Sequence, residues 1–444
     1  TEIQGTEGTS NTFYGTNAGN TTMTGLENSF FGSLAGNKNT SGAYNTFMGR
    51  GAGYQNTTGL YNTFVGRAAG YSNTAASANT FLGYLAGFTT TGGNNAFIGR
   101  QAGYSNTTGY SNTLLGDLAG YQNTSGYTNT FVGQAAGKNN KTGFENTIVG
   151  YQAGVSNTSG NRNTFIGNGA GYLNGATGVN GGYNTFVGYQ AGYGTDTGVY
   201  NTCIGQQAGY SNFGGNYDVS IGSGAGFNNK ASGNVFIGHN TGLTNTDGWE
   251  NIFIGFRAGE NELGSYKLYI NNGPTTTPLI YGDFSSQYLK FHGKVSLGST
   301  SIADPTHMLD VGVSGAYCDG GAWVDGSSRE YKENIKSLTS AEALQAFEKL
   351  EPVKFNYKED KEETYLGFIA EDVPDLVAMK DRKGLNPMDM VAMLTKVVQE
   401  QQKILQKQQD ATQEQMKINH ELQKEISELR EKFMKLEKNS RRKK

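Results

Sequence analysis

The sequence predicts a mainly β repeat array, a β-roll or β-solenoid with a 17-residue repeat, followed by a small α+β domain and a C-terminal coiled coil. Three observations predict it. The pattern Asn-Thr-Phe-Val-Gly-x-x-Ala-Gly recurs fifteen times between Asn11 and Gly259. Near residue 327 the chain changes from Gly-, Asn- and Thr-rich to charged and helix-favouring. From Val391 to Leu436 it keeps an unbroken 4-3 heptad register. The boundaries that follow are 1–261 for the repeats, 262–326 for a β connector, 327–390 for the small domain and 391–444 for the coiled-coil helix.

At 444 residues the chain is too long for one ordinary core, so a repeat array or several domains are required. Gly, at 66 residues, is about twice its ordinary usage, and Pro, at 6, is scarce. Gly without a strict every-third spacing excludes collagen, and the many Phe and Tyr argue against disorder. The net charge of -3 and pI near 5.9 argue against a general nucleic-acid binder. Cys203 and Cys318 give neither a disulfide framework nor metal-ligand spacing, and His239, His292, His307 and His420 are scattered packing or surface residues. No cofactor or metal is expected. No apolar run approaches the roughly 18 residues of a membrane span, so no membrane insertion is expected. The chain opens at Thr1 without Met, which leaves room for an earlier segment.

The repeats begin at Asn11, Asn28, Asn45, Asn62, Asn79, Asn95, Asn112, Asn129, Asn146, Asn163, Asn184, Asn201, Asp218, Asn234 and Asn251. Most steps are 17 residues; the one large insertion lies around Leu173–Gly182. Positions five and nine are Gly in every copy, which implies positive φ or a backbone approach too close for a Cβ. Position three is mostly Phe and position four is always apolar. Adjacent strand residues face opposite sides, so both faces are apolar. One face fills the coil, and the other asks for cover from two further copies of the chain, a homotrimer. The leading Asn predicts a side-chain amide ladder along the axis, with coils about 4.8 Å apart and a rod of roughly 70 Å. The rest of each unit, such as Tyr104–Gly109, reads as turn. Positions six, seven, ten and eleven, such as Tyr151, Gln152, Val155 and Ser156, are expected outside, where Tyr, Gln and Asn suit either solubility or glycan contact. Asp117, Glu145 and Asp196 occupy different positions and read as solvated loop residues. In style the array resembles the left-handed β-rolls of trimeric autotransporter adhesin heads, although the period differs. A three-chain interwound β-prism is the alternative geometry.

After Glu260 the pattern shifts to short apolar runs broken by Gly, Asn and Pro, at Tyr266–Asn272, Pro278–Phe284, Leu297–Thr300 and His307–Val311, which indicate strands and hairpins. These resemble the shaft segments that precede tail-fibre chaperone domains. Trp323 has two readings, end packing or receptor contact.

Four blocks then occur in order: Ser327–Ile335, Leu350–Tyr357, Leu366–Val373 and Val397–Gln402. Together they resemble the intramolecular chaperone auto-processing domain of phage tailspikes and tail fibres such as the endosialidases, shared by the myelin regulatory factor family. The resemblance implies a trimeric scaffold that templates folding of the preceding fibre and then removes itself by serine autoproteolysis. Carried over, the nucleophile is Ser327, the base is Lys332 and the scissile bond is Gly326–Ser327. A serine hydroxyl needs such a base, and lysine serves once desolvated. At the next position the family commonly has Asp where this chain has Ser328, which bears on cleavage efficiency. At most, the chain is a single-turnover self-cleaving endopeptidase.

Within this domain Thr339 and Glu342 predict a capping box for a helix carrying Leu344, Phe347 and Leu350, with Pro352 after its end. Val353–Tyr357 and Tyr365–Ala370 read as strands, and Asn386 with Pro387 as the cap and first residue of the last helix. The heptads of that helix run through Val391, Leu394, Val398, Leu405, Leu422, Ile426, Leu429, Phe433 and Leu436, with polar residues such as Asn419 between. Heptads alone leave dimer and trimer open; the family and the two-faced repeat favour three strands. Arg441–Lys444 reads as a frayed tail.

Three functions compete. The first is a trimeric tail-fibre protein of a phage or phage-like injection system, on the extracellular face of the virion or tail. It binds a host glycan or protein receptor and attaches to a baseplate or tail through an upstream part. The second is a bacterial cell-surface adhesin on the same scaffold. The third is a glycan-degrading tailspike, which needs paired carboxylates that the sequence does not reveal.

Overall fold

The chain was described from a computed structural model, covering residues 4–6, 10–178, 181–297, 309–311, 316–319, 322–324, 329, 332–358 and 360–442. It divides into two compact units, Thr1–Asp325 and Gly326–Lys444.

The first unit is a single-chain β-solenoid of about 15 turns. Each turn contributes one short strand, from β2 (Asn11–Tyr14) to β16 (Ile252–Ile254). Neighbouring strands pair parallel and in register, with Thr63 opposite Thr80, Phe64 opposite Phe81 and Val65 opposite Leu82. The interwound prism is therefore not adopted: the sheet partners of every strand belong to the same chain. Antiparallel strands close the sheet at both ends. β1 (Gln4–Thr6) lies against β2, and β17 (Lys267–Ile270), parallel to β16, leads into β18 (Ile280–Asp283) and β19 (Tyr288–Phe291). A second small sheet holds β20 (Val295–Leu297), β21 (Leu309–Val311), β22 (Ala316–Asp319) and β23 (Ala322–Val324). Cys318 and Trp323 fall in its strands; their side chains, like His307, lie outside the described residues.

Strand alternation sorts the repeat positions as expected. Position three points inward, and Phe30, Phe47, Phe64, Phe81 and Phe97 are fully buried, their rings stacked 4.8 Å apart. Position eight supplies Ala beside them, small enough to leave room for the ring. Position four points outward: Met48, Leu82, Leu115 and Ile166 all remain exposed in the single chain.

Asn at position one has two tasks. Its Oδ1 accepts the backbone N–H of position one in the next coil, and its Nδ2 donates to a carbonyl fourteen residues on, which closes its own coil. Asn45 Nδ2 reaches Gly59 O at 2.8 Å while Asn45 Oδ1 accepts Asn62 N at 2.9 Å. The oxygen ladder runs without a gap from Asn11 to the N–H of Lys267. Buried amides paired this way are stabilising, whereas either half left unmade costs about 1–3 kcal/mol. In the 16-residue coil that starts at Asn79 the second task fails, the Nδ2 of that residue finding no partner, while in the 21-residue coil Asn163 Nδ2 still reaches Gly181 O at 2.9 Å.

Gly at position five combines both expected constraints. Gly66 has φ +137°, and a Cβ there would meet Gly83 O at 2.3 Å. Gly at position nine is left-handed, and a Cβ on Gly70 would lie 2.5 Å from the Phe64 ring. In most coils non-glycine residues also take the left-handed region, at position seven (Leu34, Ala68, Leu85) and position seventeen (Tyr44, Tyr61, Tyr200). Each donates its N–H to the coil before it, as Ala68 does to Arg50 O and Tyr61 to Ala43 O, which offsets the steric penalty.

Three expectations need correction. Val155 is buried rather than outside, because position ten lies against its equivalents in neighbouring coils; Tyr54, Tyr71, Phe88, Tyr104 and Tyr121 form a stacked, half-buried column there. Asp196 is buried, accepting the N–H of Thr177 and so anchoring the insertion. The turn segment hides a second Asn column at position twelve, in which Asn123 Nδ2 donates to Asn106 Oδ1 and Asn140 Nδ2 to Asn123 Oδ1.

The second unit contains α1 (Ser340–Phe347), the hairpin β24 (Val353–Tyr357) and β25 (Asp360–Gly367), and α2 (Pro387–Arg441). The Thr339–Glu342 capping box and the Asn386 cap with Pro387 form as expected. α1 stops at Phe347, short of Leu350. β25 starts earlier than expected and ends at Gly367, whose partner Val353 follows Pro352, a residue with no N–H to extend the ladder.

Two predictions follow from the coil. Gly66→Ala should lower stability by at least about 3 kcal/mol, and Gly51→Ala, where a Cβ meets nothing closer than 3.6 Å, by only about 1 kcal/mol; thermal melting of the two variants checks the order. The second concerns Asp218, which replaces the ladder Asn. Burial pushes its carboxyl from the ordinary 3.8 up to about 7, against the downward pull of bonds from Asn234, Asn212 and Asn229. A raised folded-state value means stability is full below pH about 4 and lost as pH rises towards 7. Asp218→Asn should therefore stabilise the array above pH 7, by up to about 4 kcal/mol, and make no difference below pH about 4; melting curves across that range read it directly.

Candidate functional site

The chemistry expected of this chain centres on the junction and the unit after it. Gly326, Ser327 and Ser328 lie outside the described residues, as do Glu330 and Tyr331. Lys332 is described: its side chain is exposed and its backbone N–H bonds to Arg329 O at 3.2 Å.

The small domain is built on a compact apolar contact. Ala343 and Ala346 of α1 pack on Met393 and Val397 of α2 and on Val373 and Val377 of the intervening loop. Ser340 Oγ donates to Glu400 at 2.9 Å, tying the start of α1 to the same helix; that bond holds the Glu400 carboxyl below its ordinary range. Arg382 braces the loop by donating to Glu371 O and Val373 O and pairing with Asp375. In the hairpin the Tyr357 ring stands edge-on to Phe355 and to Tyr365, while Leu366 is 77% exposed.

α2 therefore has two apolar faces. Met393 and Val397 are used within the chain. The heptad stripe Val391, Leu394, Val398, Leu405, Leu422, Ile426, Leu429, Phe433 and Leu436 is between 42% and 68% exposed. At 55 residues the helix spans about 80 Å, and an uncovered stripe of that length is what partner helices bury in a coiled coil. Only the heptads were legible in the sequence. Met393 and Val397 lie off that register, and the cue was the small Ala343 and Ala346 on α1.

The solenoid offers no comparable centre of reactivity. Cys203 replaces Phe at position three and is fully buried, where burial pushes its thiol up and keeps it unreactive. Ser220 stands in the same column, so the aromatic stack is interrupted between Phe186 and Phe236. Asp117 and Glu145 are surface residues paired with Arg100 and Arg162. His239 stacks on Phe256, and His292 Nδ1 lies 2.7 Å from Pro278 O. At the solenoid's end Lys267 pairs with Asp283 at 2.7 Å, holding that carboxyl well below the usual range, and Tyr269 donates to Glu262. Among the described residues no group of three His, Cys, Asp or Glu side chains is placed to hold a metal, and no helix is long and apolar enough to cross a membrane. Most tyrosines of positions ten and seventeen have their ring faces against neighbouring rings, which removes them as platforms for sugar stacking.

Comparison with known families gives a match in the second unit. Residues 327–380 fit the family model described as chaperone of endosialidase. The chain thus carries, near its C-terminus, the chaperone domain found in phage tail fibres and tailspikes, and that domain implies a homotrimer. No curated protein and no solved structure matches the chain.

Proposed function

We propose that the chain is the subunit of a trimeric tail-fibre protein of a phage or phage-like contractile injection system that binds a host cell surface. Residues 1–261 and 262–326 form the fibre. Residues 327–390 and 391–444 form a chaperone that trimerises, templates the fibre and cuts itself away. The observation that carries this reading is the long uncovered heptad stripe directly behind a chaperone-of-endosialidase domain, joined to an array of near-identical coils.

In the proposed self-cleavage Ser327 Oγ adds to the carbonyl carbon of Gly326, and its proton passes to the Lys332 amine. The same proton then goes to the departing Ser327 nitrogen, and water hydrolyses the ester left on Oγ. Lys332 is exposed in the single chain, so the water-poor setting in which a lysine acts as base has to be supplied by sister chains. Cleavage is thereby coupled to assembly.

Expression of the full chain beside Ser327→Ala tests the chemistry. Wild type should yield a fragment whose N-terminus is Ser327, and the variant should stay intact on a denaturing gel. An intact wild type under conditions that give folded trimer removes the protease role and leaves the scaffold role standing.

A further inference from the structure

The charges of the solenoid are unevenly placed. Residues 28–116 contain Lys38, Arg50, Arg67 and Arg100 and no Asp or Glu. Three of these four cations share repeat position six, with Tyr84 in the coil between Arg67 and Arg100. The backbone fixes them as one column: Ala68 N donates to Arg50 O, Leu85 N to Arg67 O and Gln101 N to Tyr84 O, so neighbours are a single coil, about 4.8 Å, apart. Arg50 and Arg67 are exposed, and Tyr84 is 43% exposed with the Arg67 guanidinium 5.8 Å from its ring centre. The column ends where Arg100 meets Asp117 in a two-pronged ion pair at 2.9 Å.

Like charges one coil apart repel, and among the described residues neither Arg50 nor Arg67 has a carboxylate partner. Sister chains cannot help. In a parallel, in-register trimer the same coils face one another, and they carry the same excess of cations. A carboxylate or phosphate partner for Arg50 and Arg67 would then come from outside the assembly. Arg presents a planar fork suited to carboxylate and phosphate oxygens, and an elongated column of forks suits an elongated anion.

We propose that the position-six column Arg50–Arg67–Tyr84–Arg100 is a binding site for a linear anionic glycan, whose carboxylate or phosphate groups bridge Arg50 and Arg67 while Tyr84 lies beside the sugar. The inference deepens the surface-binding reading above and rests on it for the trimer.

The test uses the full chain and three immobilised polymers: polygalacturonate, phosphomannan and neutral dextran. Wild type should bind one or both anionic polymers, identifying the source of the charge, and ignore dextran, with affinity falling steeply between about 50 and 300 mM salt. Arg50→Gln/Arg67→Gln should lose at least about tenfold in affinity, Arg50→Lys/Arg67→Lys about threefold, and Arg162→Gln nothing. Equal melting temperatures and sedimentation of all variants show that the loss is not one of folding. Undiminished binding by the double Gln variant overturns the site, as does failure to bind either anionic polymer. Duplex DNA bound as tightly as the glycans also overturns it, in favour of general polyanion attraction. Adsorption to host cells is read separately. Wild type and double variant adsorbing alike overturns this site but not surface binding. A wild type that binds the polymers but no cell keeps the site and removes the host-binding reading.

Discussion

The hydrogen bond from each coil's first backbone N–H to the preceding Asn Oδ1 is the constraint on which the fibre part depends. It sets where a coil begins, and everything else within the coil is arranged around that point. The ladder survives changes of coil length: across the 21-residue coil that carries the insertion Asn184 N still reaches Asn163 Oδ1 at 2.9 Å, and across a 16-residue coil Asn95 N still reaches Asn79 Oδ1 at 2.9 Å. Chain can be added or removed in the turn because the two ends that matter are held elsewhere. Asp218 shows which half of the amide is indispensable. Its Oδ1 still accepts Asn234 N, while the Nδ2 bond is lost and the turn carbonyl, Ala231 O, keeps only the donor of position twelve, Asn229.

The same regularity creates the problem that the second unit addresses. Coils that present Thr-Phe-aliphatic in register with the next also match the one after, so a shift of 17 residues between chains changes few side-chain contacts. Non-local pairing of this kind forms slowly. A helix of 55 residues with non-identical heptads has a distinct register, since its polar core residues, including Asn419, pair well only with themselves. Alignment is thus specified where sequence varies and handed to the part where it does not. The solenoid's own interior does not need sister chains: Phe30 through Phe97 are fully buried in one chain. Uncovered in the single chain are position-four residues such as Met48, Leu82, Leu115 and Ile166, and the heptads.

Much of this was legible in the sequence. Fixed Gly and Asn gave the period, and strand alternation gave the inside and outside of each coil. The caps at Thr339 and Asn386 were readable because capping uses few residue types at fixed spacing. The left-handed positions seven and seventeen were not legible, because Leu34, Ala68 and Tyr61 are held there by bonds between coils rather than by their own preference. The position-twelve Asn column was concealed because Asn is also an ordinary turn residue. At the candidate site the four ordered blocks identified the domain, whereas the pairing of Met393 and Val397 with α1 depends on a tertiary contact that no heptad announces.

Sedimentation of the full chain, compared with Leu405→Asp/Leu422→Asp, tests the account most directly. The account predicts a species of three times 47.5 kDa for the chain held uncut by Ser327→Ala, and failure to assemble when the two Asp substitutions are added to it, although α1 and its contact with Met393 are untouched. A stable, fully folded single-chain species of that uncut chain, with α2 still attached, would contradict it.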